Sequence, residues 1–247
     1  MASSLLLLSA LAVGGVGCLV RRRSALWGQG LIILGCVGCA GVLFWQVRQS
    51  LFQPEVKAPN RAHAVVSFYL ANQTLREVAG RRGLVVLIFP PASMLDQDTA
   101  ESYARAFAPL LLRGHPELEV QVATLEAPTK AAKPGDLPLA AFKQVAARFP
   151  NALAFVCYSG VPVDIEQLFP AEQKNPPAFC VYDPAGTAHW ASALKKGRLQ
   201  LVIVPRPGVD LATQAGIAGA PGDIFNQLYL SARPETADQV AAQLGKR

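Results

Sequence analysis

Two apolar runs near the amino terminus constrain this chain more than any other feature of its sequence. They extend from Ser4 to Val20 and from Leu31 to Trp45, and neither contains a formally charged side chain. An α-helix needs about 20 apolar residues to cross a hydrocarbon layer of about 30 Å, because it rises about 1.5 Å per residue. Each run therefore predicts a transmembrane helix.

The predicted spans cover about residues 4–20 and 27–46 and form a membrane hairpin within residues 1–47. A cleaved signal peptide is the alternative interpretation of the first run. Signal peptides open with a basic segment, and Met1 to Ser4 contains no Lys or Arg. The sequence therefore favours the uncleaved hairpin, with a lipid bilayer as its partner.

The arginine triplet at residues 21–23 sets the predicted orientation of the hairpin. Short loops rich in Lys and Arg stay in the cytoplasm, so the loop between the spans is predicted to lie inside. Arg48, Lys57 and Arg61 follow the second span, but they are dispersed. The sequence therefore predicts a two-span, multi-pass membrane protein whose soluble domain is extracytoplasmic.

Residues 48–62 are predicted to be a juxtamembrane linker, because Pro54, Pro59 and mixed charges interrupt any periodicity. Residues 63–247 are predicted to form one soluble domain. Roughly 200 residues outside the membrane segment are enough for a single hydrophobic core.

The first part of this domain contains two ambiguous segments. Val65 to Leu70 fits a strand or a helix, since periodicity does not resolve such short apolar runs. Thr74 to Glu77 has the form of a capping box, which predicts a short helix beginning at Leu75.

The clearest strand is Leu84 to Phe89, which is apolar at every position and ends at Pro90-Pro91. This uniformity predicts a central strand covered on both faces. Thr99 to Leu112 follows with apolar residues at helical spacing. Further predicted strands cover residues 118–125, 152–158, 178–182, 199–204 and 227–231, and further predicted helices cover residues 137–148, 188–196 and 234–244. The alternation predicts a doubly wound α/β domain with a mainly parallel sheet of about six strands.

Three passages carry a resemblance to a known family. They are Asn151 to Gly160 (Asn-Ala-Leu-Ala-Phe-Val-Cys-Tyr-Ser-Gly), Pro177 to Asp183 (Pro-Ala-Phe-Cys-Val-Tyr-Asp) and the helix–Gly–strand passage from Leu194 to Val204. With the preceding strand and its Pro-Pro-Ala-Ser-Met loop, they resemble one lobe of the type I periplasmic sugar-binding proteins. That resemblance spans residues 84–204 and implies a ligand-binding fold.

A weaker resemblance is to thioredoxin, through the same strand, the helix that contains Pro109, and the passage from Pro177 to Gly186. The redox motif is absent, because residues 92–95 are Ala-Ser-Met-Leu. Disulfide exchange by that route is therefore excluded.

Candidate site residues follow the strands of the predicted sheet. Ligands of open parallel sheets bind outside the carboxyl ends of the strands, at the point where strand order reverses. The residues expected there are Ser93, Ser159, Asp183 and Arg206. The charged side chains of Asp183 and Arg206 are suited to binding a polar ligand. The alternative is that Asp183 belongs to an ordinary turn and that Arg206 is an exposed loop charge.

The sequence predicts no metal and no cofactor. His63, His115 and His189 have no second His or Cys at ligand spacing. Neither a Gly-x-Ser-x-Gly elbow nor a Walker loop is present, so nothing in the sequence supports catalysis. The glycine-rich segment from Ala215 to Gly222 opens no clear helix and is predicted to be a surface loop. A disulfide between Cys157 and Cys180 would require neighbouring strands with suitable geometry.

The charge of the chain argues against nucleic acid as a partner. Three of the +6 net charges belong to the arginine triplet, and the others are scattered without a basic stripe. The predicted function is that of a membrane-anchored, non-catalytic α/β domain that binds a small molecule or a partner protein at the cell envelope. The alternatives are a membrane-anchored enzyme of unrecognised class and a cytoplasm-facing scaffold.

Overall fold

The computed structural model describes residues 60–245, apart from 114, 127–136, 171, 172, 174, 215 and 216, together with Gln29, Ile33 and Cys36. The chain divides into two compact units, Met1–Ala58 and Pro59–Arg247. Gln29, Ile33 and Cys36 are helical and exposed, and the rest of both predicted spans lies outside the described residues. Among the residues that are described, no helix is long and apolar enough to cross a membrane.

The described residues of the second unit form a six-stranded sheet in the order β2-β1-β3-β4-β5-β6. Its strands are β1 (Gly83–Phe89), β2 (Leu118–Thr124), β3 (Ala152–Cys157), β4 (Ala178–Tyr182), β5 (Leu201–Pro205) and β6 (Tyr229–Ala232). The first five strands are parallel to their neighbours, and β6 is antiparallel to β5. The predicted mainly parallel sheet of about six strands is confirmed.

Helices cover both faces of the sheet. They are α1 (Arg61–Val78), α2 (Gln97–Leu112), α3 (Leu139–Arg148), α4 (Ala191–Lys195), α5 (Pro221–Leu228) and α6 (Ala237–Leu244), and short 3₁₀ helices span Ile165–Gln167, Leu211–Gln214 and Pro234–Thr236. Buried side chains of α1, α2 and α5 share one apolar cluster, and those of α3, α4 and α6 share the other. This is the three-layer arrangement that the strand and helix alternation predicts.

Neighbouring residues of the central strands face opposite layers, as the two-residue period of a strand requires. Val85 and Leu87 of β1 pack with α1 and α2, whereas Val86 and Ile88 pack with the other layer. The alternation of side chains along a strand also places Cys157 and Cys180 on opposite faces of the sheet. Their strands are neighbours, but the two side chains lie in different layers and both thiols are free.

Helix α1 corrects two expectations about the start of the domain. It is one continuous helix that begins at Arg61, two residues before the predicted start of the domain at residue 63, with the Asn60 side chain accepting a hydrogen bond from the Ala62 amide. The helix start predicted at Leu75 is wrong. The Thr74 hydroxyl donates to the Leu70 carbonyl at 2.8 Å, so this side chain bonds back within the helix instead of capping a new one.

The end of the glycine-rich segment is also different from the sequence prediction. Pro221 and Gly222 are the first residues of α5, and Pro221 takes a position where its missing N–H costs no helical hydrogen bond. The last strand consequently begins at Tyr229 instead of residue 227.

The direction of the strand order reverses between β1 and β3. From β1 the chain passes through α2, on one face, to β2 at the sheet edge. It then returns through α3, on the other face, to β3. The carboxyl ends of β1 and β3 therefore flank the reversal point, where open α/β sheets bind ligands.

Candidate functional site

The four sequence-predicted site residues follow the carboxyl ends of four adjacent strands. This end of the sheet, where the loops after β1, β3, β4 and β5 lie, is called the carboxyl edge below. Ser93 lies in the loop after β1, Ser159 after β3, Asp183 after β4 and Arg206 after β5. This order places Ser93 and Ser159 on either side of the reversal point.

Asp183 and the turn after Ser159 are in direct contact. The Gly160 amide donates to the Tyr182 carbonyl at 3.0 Å. Gly160 has φ of +72°, and a Cβ atom there would lie 2.9 Å from Oδ1 of Asp183. Glycine is required at this position because the backbone is left-handed and the carboxylate leaves no space for a side chain.

The carboxylate of Asp183 is buried and accepts hydrogen bonds from its own loop. Only 1% of the residue is exposed. Oδ1 accepts from the Ala185 amide at 3.0 Å, and Oδ2 accepts from the amide and hydroxyl of Thr187 at 2.9 and 2.6 Å. Such bonds are those of an Asx turn, so Asp183 fixes the shape of the loop after β4.

His189 joins this loop to the loop after β3. Its Nε2 atom lies 2.6 Å from the Val161 carbonyl, which only accepts hydrogen bonds, so Nε2 carries the proton in this assignment. Together with Asp183, the imidazole holds two neighbouring loops of the carboxyl edge in a fixed arrangement.

Ser159 lies beneath the surface of the same edge. Its Oγ atom is 3.0 Å from Sγ of Cys157 and 3.3 Å from the Gly160 carbonyl. Burial raises the pKa of the Cys157 thiol to about 12. At neutral pH this sulfur is protonated and is therefore a poor nucleophile.

Ser93 and Arg206 are the more accessible members of the set. Ser93 is exposed in a loop whose Met94 amide donates to the Pro91 carbonyl at 2.8 Å. Arg206 is half-buried, and its Nε donates to the Asn226 carbonyl at 2.6 Å. The guanidinium thus braces the carboxyl end of α5, and no ion pair links it to Asp183, which the structure also describes.

A cavity of about 330 Å³ opens beside the carboxyl ends of β1 and β2, within the size range of small-molecule pockets. Its wall includes Phe89 and Pro90 at the end of β1, Thr124 at the end of β2, and Ala92, one residue before Ser93. Gln97 and Glu101 of α2 supply polar groups. None of the four sequence-predicted residues lines this cavity.

Aromatic side chains lie directly under the edge. Tyr158 and Tyr182, which follow β3 and end β4, are buried against Tyr103 of α2 at ring-centroid distances of 4.6 and 5.8 Å. Burial raises the pKa of both Tyr158 and Tyr182. The Tyr158 hydroxyl is 3.1 Å from Oγ of Ser67 on α1. These rings therefore belong to the core beneath α1 and α2 and do not face the carboxyl edge.

Sequence reasoning missed both the cavity and the tyrosine cluster. The cluster had a local signal, an aromatic residue at the end of two consecutive apolar strands. The cavity had none, because it depends on how α2 packs over β1 and β2. Within the described part of the chain, no group of three or more His, Cys, Asp or Glu is placed to hold a metal ion.

The sequence matches no known protein family and no curated protein. A protein from Bacteroides fragilis assigned as a LacI transcriptional regulator has a similar fold, with a TM-score of 0.50 and 14% identity over 72% of this chain and 61% of that chain. A carbohydrate transporter solute-binding protein from Agrobacterium radiobacter, in complex with D-arabinose, gives a TM-score of 0.49 and 14% identity over 75% and 63%. A periplasmic ribose ABC transporter protein from Conexibacter woesei has a TM-score of 0.48 and 16% sequence identity, over 73% of this chain and 60% of that chain.

The likeness to the Bacteroides fragilis protein is one of fold alone, because the two sequences are only 14% identical. The resemblance of the sequence to one lobe of the type I periplasmic sugar-binding proteins is confirmed at this level. The chain spans about three fifths of the length of the proteins it matches.

Proposed function

We propose that the α/β domain binds a small polar ligand at the carboxyl edge of its sheet. The observation that carries this proposal is the 330 Å³ cavity at the ends of β1 and β2, which adjoins the loop of Ser93 and lies next to the reversal point. Proteins of this architecture usually bind ligands where a cavity with polar groups lies next to the point at which strand order reverses.

The four edge residues have two roles in this proposal. Ser93, next to Ala92 of the cavity wall, offers an exposed hydroxyl. Arg206 follows β5, three strands from β1, so its remaining guanidinium N–H groups serve only a ligand that extends from the cavity along the carboxyl edge. Ser159 and Asp183 act indirectly, because their polar atoms are committed to the loops after β3 and β4. They keep the backbone at the edge in the shape that the ligand meets.

Cys157, Tyr158 and Tyr182 lie behind the carboxyl edge, burial raises the pKa of each, and none of them lines the cavity. A thiol or phenol that is activated as a nucleophile needs a lowered pKa. These three groups therefore give no support to the alternative of a membrane-anchored enzyme.

The domain is further proposed to be tethered to a bilayer by the two apolar runs and to face the extracytoplasmic side. The support is the length of the runs and the position of residues 21–23 between them. An extracytoplasmic position also fits a receptor for envelope solutes. A cytoplasm-facing scaffold is the alternative that a topology measurement would distinguish.

The ligand proposal is tested by thermal denaturation of the full chain in nanodiscs with a panel of pentoses, hexoses, amino acids and nucleosides. A ligand at about a hundred times its Kd should stabilise the fold by about 2.7 kcal/mol. Ala92→Trp should fill the cavity and abolish that stabilisation. Ala140→Trp, on an exposed position of α3, is the matched control and should retain it. A ligand that stabilises the Ala92→Trp variant as strongly as the parent chain would place binding elsewhere.

A further inference from the structure

A second cavity, of about 440 Å³, lies on the helical face formed by α1, α2 and the start of α5. We propose that it binds a single-chain anionic amphiphile of the fatty-acid class, with the acyl chain in the cavity and the carboxylate at Arg61 and Arg105. The site shares no lining residue with the carboxyl-edge cavity. The proposal is therefore independent of the polar-ligand function.

The walls of this cavity are almost entirely apolar. The residues that form them are Ala64, Val65 and Phe68 on α1, Ala106, Pro109 and Leu110 on α2, and Gly219, Pro221 and Ile224 at the start of α5. Phe68 is 38% exposed, and its ring makes an edge contact with Tyr69 at a centroid distance of 5.7 Å. Such walls favour an acyl chain, whereas a sugar or nucleoside would lose hydrogen bonds to water without replacing them.

The charged side chains in the described part of the cavity lining are both basic. They are Arg61 and Arg105, and Arg105 is paired with Glu101 on α2. Both residues are exposed, so neither guanidinium is sealed from a ligand. A cationic rim around an apolar cavity is complementary to a molecule with one anionic end and one apolar end.

Existing contacts of the two arginines leave donors for a carboxylate. Arg61 donates from Nη1 to the Ile217 carbonyl at a long distance of 3.4 Å. Arg105 pairs with Glu101 one helical turn earlier, and both side chains of that pair are about half exposed. A guanidinium carries five N–H donors, and these contacts leave most of them available. Arg61, which has no carboxylate partner among the described residues, is the stronger anchor.

The test is photolabelling of the full chain in membranes with a diazirine derivative of dodecanoic acid, followed by peptide mapping. Labels are expected in the peptides that contain Phe68 of α1 and Ala106 of α2. Competition by octanoate, decanoate and dodecanoate should strengthen about fourfold per added CH₂, the equivalent of about 0.8 kcal/mol each. Dodecyltrimethylammonium, which has the same chain and the opposite charge, should not compete.

Two kinds of variant separate the site from general lipid contact. Ala106→Phe fills the cavity and should remove the label, whereas Ala140→Phe on α3 should not. The double variant Arg61→Gln and Arg105→Gln leaves the fold's core untouched and should weaken competition by dodecanoate about tenfold. Arg76→Gln, on an exposed position of α1 outside the cavity, is its control.

Three outcomes would overturn the proposal. They are labels confined to residues 1–58, equal labelling of the parent chain and the Ala106→Phe variant, and equal competition by the cationic amphiphile. Failure of this test would leave the carboxyl-edge proposal intact, since Ala92→Trp and the polar panel probe different residues.

Discussion

Burial of a carboxylate costs free energy unless its oxygens accept hydrogen bonds from the protein. Both oxygens of Asp183 do so, from Ala185 and Thr187 of its own loop. The carboxylate also occupies the space that a Cβ atom of Gly160, in the loop of the neighbouring strand, would need. One side chain thus determines the conformation of two loops at the proposed ligand edge.

Replacement of Asp183 by Ala should lower the free energy of unfolding by about 3 kcal/mol, because it leaves the amides of Ala185 and Thr187 without an acceptor. Asp183→Asn should be milder, since an amide oxygen still accepts. Urea denaturation of the full chain measures both. Asp164→Ala is the control: Asp164 is exposed and caps no helix with its side chain, so a change within about 0.5 kcal/mol is expected. Equal effects at the two positions would show that the Asp183 bonds contribute no net stability.

For single residues, the sequence predicted where a side chain lies in the fold but did not predict its hydrogen-bond partners. Asp183 follows an apolar strand, and this was enough to place it at the sheet edge. Whether its carboxylate faces a ligand or its own loop depends on the φ and ψ angles of residues 184–187, which the sequence pattern does not determine. The same applies to the Ser159 hydroxyl, whose partners are set by the turn at Gly160.

Among the helices, α1 was the hardest to predict, and its buried face explains why. That face includes Ser67 and Thr74 beside small apolar residues such as Ala62 and Ala71. A helix normally shows itself by large apolar residues every three or four positions. Here polar side chains interrupt that pattern, and they are tolerated because Ser67 bonds to the Tyr103 carbonyl and Thr74 to the Leu70 carbonyl. The tertiary partners that make α1 stable were not visible locally.

Helix α2 offers a test of capping at its amino end. The Asp96 side chain accepts a hydrogen bond from the Thr99 amide at 2.8 Å. Hydrogen bonds from the side chain and amide of Thr99 hold the pKa of Asp96 below its ordinary value of 3.8. Asp96→Ala should lower the free energy of unfolding by about 1 kcal/mol at neutral pH, measured by urea denaturation.

The pH dependence of this cap has a defined sign. A carboxylate whose pKa is depressed in the folded state contributes its full stability above pH 3.8 and loses it as the pH falls through the folded value. The difference between the parent chain and Asp96→Ala should therefore shrink in acid. Asp96→Ser is the matched control, because serine caps a helix without titrating in this range. A constant difference at all pH values would mean that the ionised form is not what stabilises the cap.

For the whole molecule, alternation of apolar strands and helices predicted the layered fold, because each strand had to be covered on both faces. The antiparallel direction of β6 was not predictable in this way. Helix α5 ends beside the carboxyl end of β5, and Tyr229 pairs with Pro205 directly after it. The chain therefore re-enters the sheet at the carboxyl end of β5 and runs antiparallel to it. Ile224 and Phe225 of α5 are buried in the core at this point, and no strand pattern encodes that packing.

The proposed topology of the whole chain depends on where its positive charges lie relative to the apolar runs. Gln substitution of Arg21, Arg22 and Arg23, combined with Ala2→Arg, Ser3→Arg and Ser4→Arg, should invert the hairpin, because short positively charged segments stay in the cytoplasm. The measurement is protease cleavage of a carboxyl-terminal tag in intact cells stripped of any outer barrier, compared with lysed cells.

The parent chain should be cleaved in intact cells, and the charge-relocated variant should be protected until lysis. Gln substitution of Arg81, Arg82 and Arg113 removes the same number of charges from exposed positions of the domain and should leave cleavage unchanged. Protection of the parent chain would put the domain in the cytoplasm, where the scaffold alternative applies. Cleavage of both chains in intact cells would show that the arginine triplet does not control orientation. In either case the ligand site at the carboxyl edge would have to be assigned to solutes of the compartment that the tag reveals.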